Sequence, residues 1–149
     1  MVLNRQRRVA VAIGPLVRFL ERVRLELGFP AQGVAVQLVS DTAMSQLNWR
    51  FRRKRGPTDV LSFPARAQGV RRANRRPRAA GNGYVGDIAI SPETARRNAR
   101  RDSRPLPDEL RMLLLHGMIH LAGYDHEADQ GQMQKLETAL RRRLGLLPQ

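Results

Sequence analysis

All three histidines of the chain fall within the eleven residues HGMIHLAGYDH, from His116 to His126. No other feature constrains the fold as strongly. His116 and His120 are four apart, so on a helix they project from one face, one turn from each other. Gly123 lets the backbone leave such a helix through a left-handed turn, and that turn can bring His126 back toward the pair. Three imidazoles can then offer nitrogens to one ion at ~2.0–2.1 Å. Three protein ligands with an open fourth position are the arrangement of a catalytic zinc site rather than of a closed structural one. The chain has no cysteine. A disulfide framework, a thiolate site and a cysteine nucleophile are therefore excluded, and any metal must be held by His, Asp or Glu. One Zn2+ per chain is the expected cofactor, although imidazoles also suit other divalent transition metals.

The spacing H-x3-H-x2-G-x2-H matches the metzincin zinc site. A peptidase of that kind carries a glutamate after its first histidine as general base. Here the position is Gly117, so the metal spacing is present and the proteolytic base is not. Asp125 is a candidate to accept from a ligand imidazole, as metal-bound histidines usually require, or to cap the following helix. Tyr124 is expected to pack.

Elsewhere the periodicity alternates between helix and strand. Leu16, Leu20, Val23 and Leu27 recur at helical spacing, with Pro15 in the first turn and Gly28 as a stop. Val34–Ser40 alternates as a strand, and Ser40 or Asp41 caps a helix carrying Met44, Leu47 and Trp49 that Pro57 is expected to break. Asp59–Phe63 and Tyr84–Ser91 read as strands, and Ser91-Pro92-Glu93 opens a short helix. A helix from about Pro107 to Leu121 carries the first two histidines, and a last one covers about Glu127 to Leu144 with Met133, Leu136 and Leu140 on one face. Strands interleaved with helices predict a single α/β (α+β) domain over residues 1–149, with a small mixed sheet.

Charge narrows the partners. Lys+Arg is 27 against 13 Asp+Glu, a net charge of +14, and the only lysines are Lys54 and Lys135. Such an excess suits a polyanion, nucleic acid first; high arginine usage in a GC-rich genome would also raise it. Residues 65–83 hold six arginines, among them Arg71, Arg72, Arg75 and Arg76, and no acid. They are expected to form a flexible basic loop, either a solvated insertion or an RNA-contacting arm. The longest apolar stretch, Val9 to Val17, is under half of the ~20 residues a membrane helix needs. The charged residues after it do not resemble a signal peptide, so a soluble cytoplasmic protein without membrane contact is expected.

With these residues in view, the chain resembles the YbeY-type endoribonucleases, metal-dependent rRNA maturation factors of bacteria. HGMIHLAGYDH is similar to that family's signature, LNWRFRRKRGPTDVLSFP (Leu47–Pro64) to its second block, GDIAIS (Gly86–Ser91) to its third, and MVLNRQRR to its N-terminal strand. The resemblance implies a mixed four-stranded sheet packed with about five helices and a metal site at one end of a cleft. It implies His116, His120 and His126 as ligands and Arg52 as a functional arginine, catalytic together with the His116 site. The basic run around Arg52 offers Arg50, Arg53 and Arg55 as RNA-binding candidates.

The activity implied is hydrolysis of phosphodiesters in single-stranded RNA during maturation of the small-subunit rRNA 3′ end, with roles in ribosome assembly and quality control. The partners implied are ribosomal RNA, the small ribosomal subunit and assembly factors, and a monomer is expected. A three-histidine Zn2+ can lower the pKa of water toward ~7 and polarise a phosphoryl oxygen, and a guanidinium at Arg52 suits a phosphate. With one Trp, two Tyr and four Phe in the chain, recognition through the RNA backbone is expected over aromatic base platforms. Asp59 and Asp87 are expected to be structural. The alternative is a non-enzymatic RNA-binding ribosome-assembly factor with a structural metal, which accounts for the charge but not for an open three-ligand site.

Overall fold

The computed structural model describes residues 1–65, 83–124 and 130–146. Among the described residues nine elements follow in the order β1 (Val2–Asn4), α1 (Ile13–Leu27), β2 (Val34–Leu38), α2 (Asp41–Arg52), β3 (Val60–Pro64), β4 (Gly86–Ile90), α3 (Pro92–Arg101), α4 (Leu106–Leu121) and α5 (Gln132–Arg143). The four strands form one sheet in the order β1-β2-β4-β3, with β1–β2 and β2–β4 parallel and β3 antiparallel to β4. The expected mixed sheet and five helices are therefore present.

The strands sort their side chains by the period of two. Ile88 and Ile90 of β4 join the main core with Val34, Val36 and Leu38 of β2, while Ala89 turns to the other face. On the main face lie Leu16, Phe19, Leu20 and Val23 of α1, Met133 and Leu140 of α5, and the largest share from α4. On the opposite face Met44 of α2 packs with Val39, Leu61 and Ala89. Truncating one such side chain to alanine typically costs about 2–5 kcal/mol.

Local chemistry explains most of the element ends. Gly28 closes α1 in the left-handed region (φ 71°), with its N–H on the Arg24 and Leu25 carbonyls. Ser40 caps α2 by accepting from the Ala43 N–H, and Ser91 caps α3 by accepting from the Thr94 N–H, with Pro92 at the first helical position. Asp41 joins the two caps: its carboxylate accepts from the hydroxyls of Ser91 (2.6 Å) and Thr94 (2.7 Å) and pairs with Arg97 (2.9 Å).

Three expectations are corrected. Pro57 does not break α2; the helix stops earlier, because Arg53 turns into the left-handed region (φ 55°) and its N–H returns to the Asn48 and Trp49 carbonyls. The strand expected over Tyr84–Ser91 is shorter, Gly86–Ile90, with Ser91 serving as a cap. The last helix begins at Gln132, after Gly131 in the left-handed region (φ 93°). The arginine-rich stretch joins the antiparallel pair β3 and β4, whose end is closed by the Ala65 N–H on the Val85 carbonyl (2.9 Å). Arg71, Arg72, Arg75 and Arg76 lie outside the described residues. No helix among the described residues is long and apolar enough to cross a membrane.

Candidate active site

α4 does two jobs with one sequence. Leu114, Leu115, Met118, Ile119 and Leu121 are fully buried, while His116 and His120 are half-buried on the remaining face. The i, i+4 spacing sets the two imidazoles side by side, ring centroids 4.6 Å apart and planes 80° apart, with Nε2 facing Nε2 at 3.1 Å.

Each Nδ1 meets an acceptor. That of His116 lies 2.6 Å from Oε1 of Glu137 on α5, and that of His120 lies 2.9 Å from the Tyr124 carbonyl. A carboxylate and a carbonyl both accept, so the protons belong on the two Nδ1 atoms. The two Nε2 lone pairs then converge, an arrangement that a cation between them would stabilise. Two nitrogens bound tetrahedrally to one ion at ~2.0–2.1 Å would stand about 3.3–3.4 Å apart, close to the separation found. The donor set therefore fits a metal ion of the kind that imidazoles hold.

The turn after α4 is built as the sequence suggests. Gly123 takes φ 100°, its N–H returns to the His120 carbonyl, and the Tyr124 N–H returns to Ile119. This reversal directs the Tyr124 carbonyl back onto His120. Tyr124 itself packs against the core, as expected. His126 and Asp125 lie outside the described residues, and among those described no third metal-ligating side chain joins the pair.

Gly117 is explained by packing. A Cβ there would sit 3.1 Å from Oγ of Ser62 and 3.2–3.3 Å from two atoms of Ile88, and the Ser62 hydroxyl donates to the Gly117 carbonyl at 2.9 Å. Position 117 thus faces the sheet while its neighbour His116 faces outward. A glutamate base at that position would have to enter the core.

In front of the histidines lies a cleft of about 640 Å³. β3 supplies Val60, Leu61, Ser62 and Pro64, α2 supplies Arg52, and Glu109, Arg104 and Arg141 complete the wall. Arg141 is held by Glu137 (2.6 Å) and Arg104 by the buried Glu109 (2.6 Å). Arg52 lines the cleft and makes no ion pair or hydrogen bond among the described residues. Asp59 lines the cleft, yet its carboxylate accepts from the Val60 N–H (2.8 Å) and the Asn98 amide (3.1 Å). Asp87 accepts from the Tyr84 hydroxyl; burial, with this hydrogen bond second, raises the tyrosine's pKa well above its ordinary value. Both aspartates do structural work.

The structure thus brings His116, His120 and Arg52 into one cleft. Arg50, Arg53 and Arg55 surround the end of α2, beside it. Sequence reasoning missed Glu137 and Arg141, whose only signal was a carboxylate and an arginine four apart on the last helix, and the Arg104–Glu109 pair.

Comparison with known proteins agrees with this architecture. The family model "Endoribonuclease YbeY" matches residues 6–145. A protein of that name from Koribacter versatilis is 41% identical over 98% of this chain and 86% of its own length. Another from Solibacter usitatus is 37% identical over 87% of this chain and 77% of its own length. The solution structure of TM1509 from Thermotoga maritima superposes with a TM-score of 0.57 at 27% identity, covering 97% of this chain and 89% of that one. A match that runs through the sheet, the histidine helix and the cleft wall leaves one assignment: the chain belongs to the endoribonuclease YbeY family.

Proposed function

We propose that this protein is a metal-dependent endoribonuclease that cuts single-stranded RNA, acting in ribosomal RNA maturation at the 3′ end of the small-subunit rRNA. The observation that carries the reading is the convergence of two Nε2 atoms at 3.1 Å in the same cleft as Arg52, an arginine with no ion pair among the described residues. Family membership and the +14 charge support an RNA substrate.

His116 and His120 would hold the metal, Zn2+ first among the candidates, with His126 as third ligand. When bound, such an ion would supply Lewis acidity toward a phosphoryl oxygen and make water more acidic. Glu137 fixes the His116 tautomer and ring orientation, and the Tyr124 carbonyl does the same for His120. Arg141 pairs with Glu137 and holds it in place. Arg52 binds the scissile phosphate by its two-pronged guanidinium and stabilises the charge that builds on it. The protein works in the cytoplasm with the small ribosomal subunit and its assembly factors as its surroundings.

The test is cleavage of a single-stranded RNA by the wild type and a His120→Ala protein purified in parallel, with and without chelator. Cleavage by wild type alone, lost with chelator and restored by Zn2+, is expected. Equal cleavage by both proteins, or none by either on ribosomal substrate, would move the assignment to a non-catalytic RNA-binding assembly factor.

A further inference from the structure

Trp49 and Phe51 are the only aromatic residues among the exposed large hydrophobics of the described chain, 46% and 56% exposed. Single exposed apolar residues are common. These two are set apart by their surroundings. They precede Arg52 on the last turn of α2, on either side of Arg50, and from Thr42 to Thr58 the sequence has no acid while residues 50–55 hold Arg50, Arg52, Arg53, Lys54 and Arg55. Arg50 lies 5.5 Å from the Phe51 ring, and Arg53 and Arg55 lie 5.7 and 6.0 Å from the Trp49 ring.

The patch is held in shape. Arg53 in the left-handed region folds the chain back, and the buried Asn48 donates its amide to the Gly56 carbonyl at 2.9 Å. Trp49, Arg55 and Gly56 then border a depression of about 330 Å³. Phe51 rests edge-on against Phe63 of β3, centroids 4.9 Å apart. Phe63 stands between Ser62 and Pro64, which both line the cleft.

We infer that the end of α2 is a stacking platform for bases of single-stranded RNA, with Trp49 its main π surface and Arg53 and Arg55 holding the adjoining phosphates. An aromatic interleaved with arginines offers what a single strand presents, π faces on a polyanionic backbone. An acidic protein surface would satisfy the arginines but leave the rings unused. The inference rests on the nuclease reading for its substrate. It adds that bases flanking the phosphate at Arg52 are bound outside the cleft, without sequence preference.

Trp49 is the only tryptophan in the chain, so its emission reports on this patch alone. The probes are a cleavage-resistant octa-adenylate (2′-O-methyl, phosphorothioate-linked) and its abasic twin with the same backbone. The octa-adenylate is expected to quench Trp49 emission; the abasic twin should bind, by anisotropy of an end label, without quenching. Trp49→Ala is expected to weaken octa-adenylate binding by about 5–100-fold, as loss of one base stack does, and to leave the abasic twin's affinity unchanged. Trp49→Phe, which keeps a π face, should retain most of the affinity and guards against an Ala variant that misfolds.

Unchanged emission at saturation, equal quenching by the abasic twin, or equal loss of both affinities in Trp49→Ala would overturn the platform. So would stronger quenching by an oligoglutamate peptide, which would assign the patch to a protein partner. RNA cleavage assayed in parallel separates the two readings: cleavage without a Trp49 response sinks the platform alone, and a Trp49 response without cleavage sinks the nuclease alone.

Discussion

Glu137 reaches across from α5 to place a carboxylate oxygen 2.6 Å from Nδ1 of His116. The two residues are 21 positions apart, and the contact couples the packing of the last helix to the orientation of a candidate metal ligand. Glu137→Gln keeps an acceptor but removes the charge. Removing such a partner typically lowers metal affinity by 10–100-fold. Competition against a chromophoric chelator is expected to show a loss in that range with the fold intact; affinity equal to wild type would deny Glu137 this part.

Arg52 carries no structural partner among the described residues, so its removal should spare stability. Arg52→Ala is expected to lower kcat/KM on single-stranded RNA by about 10²–10³, the usual effect of deleting one donor to transition-state charge. Arg52→Lys should recover only part, because an ammonium cannot engage two phosphate oxygens in one plane. A thermal midpoint matching wild type in both variants is the control. An undiminished rate in Arg52→Ala would remove the residue from the chemistry.

Gly86 begins β4 where nothing larger fits. A Cβ there would lie 2.6 Å from the Phe63 carbonyl and 2.7 Å from Cδ2 of Leu121. The backbone of a paired strand cannot yield as a side chain can, so Gly86→Ala should destabilise the protein by about 1–3 kcal/mol. A urea midpoint shifted down at constant m-value would show it. An unchanged midpoint would mean that the sheet and α4 separate more easily than their packing suggests.

Asp41 makes stability depend on acid. Burial pushes its pKa up, but the hydroxyls of Ser91 and Thr94 and the Arg97 guanidinium outweigh this and hold it below the ordinary 3.8. A carboxyl with a depressed folded-state pKa stabilises the protein above its unfolded pKa, and that contribution is lost as pH falls through the folded value. Asp41→Asn should therefore lower Tm by a few degrees at pH 7, with the gap to wild type closing below about pH 4. A gap that stays constant down to pH 2 would assign the loss to shape rather than charge.

How much could be read from the sequence follows the range of the interactions involved. The His116–His120 pair was legible because helix geometry alone fixes it, and Gly123 and Ser91 because a turn or a cap is set by a few neighbouring residues. Glu137 was not, since nothing local dictates where α5 crosses α4. Gly117 was legible as a missing base; its reason, contact with Ser62 and Ile88, needs the sheet. Aromatic content is a coarser signal. A count of rings does not say which are available, because burial decides that. Phe19 is buried, Phe29, Phe63 and Tyr124 pack against the cores, and Trp49 and Phe51 stay outside.

Mounting the histidine pair on the most deeply packed helix has a cost in adaptability and a gain in durability. The backbone that His116 and His120 share with Leu114, Met118 and Ile119 can shift only when the core itself opens, so amide exchange along α4 should approach the rate of global unfolding. Adjustment to differently shaped RNAs is then left to the periphery, while the reacting centre keeps one geometry for as long as the molecule stays folded.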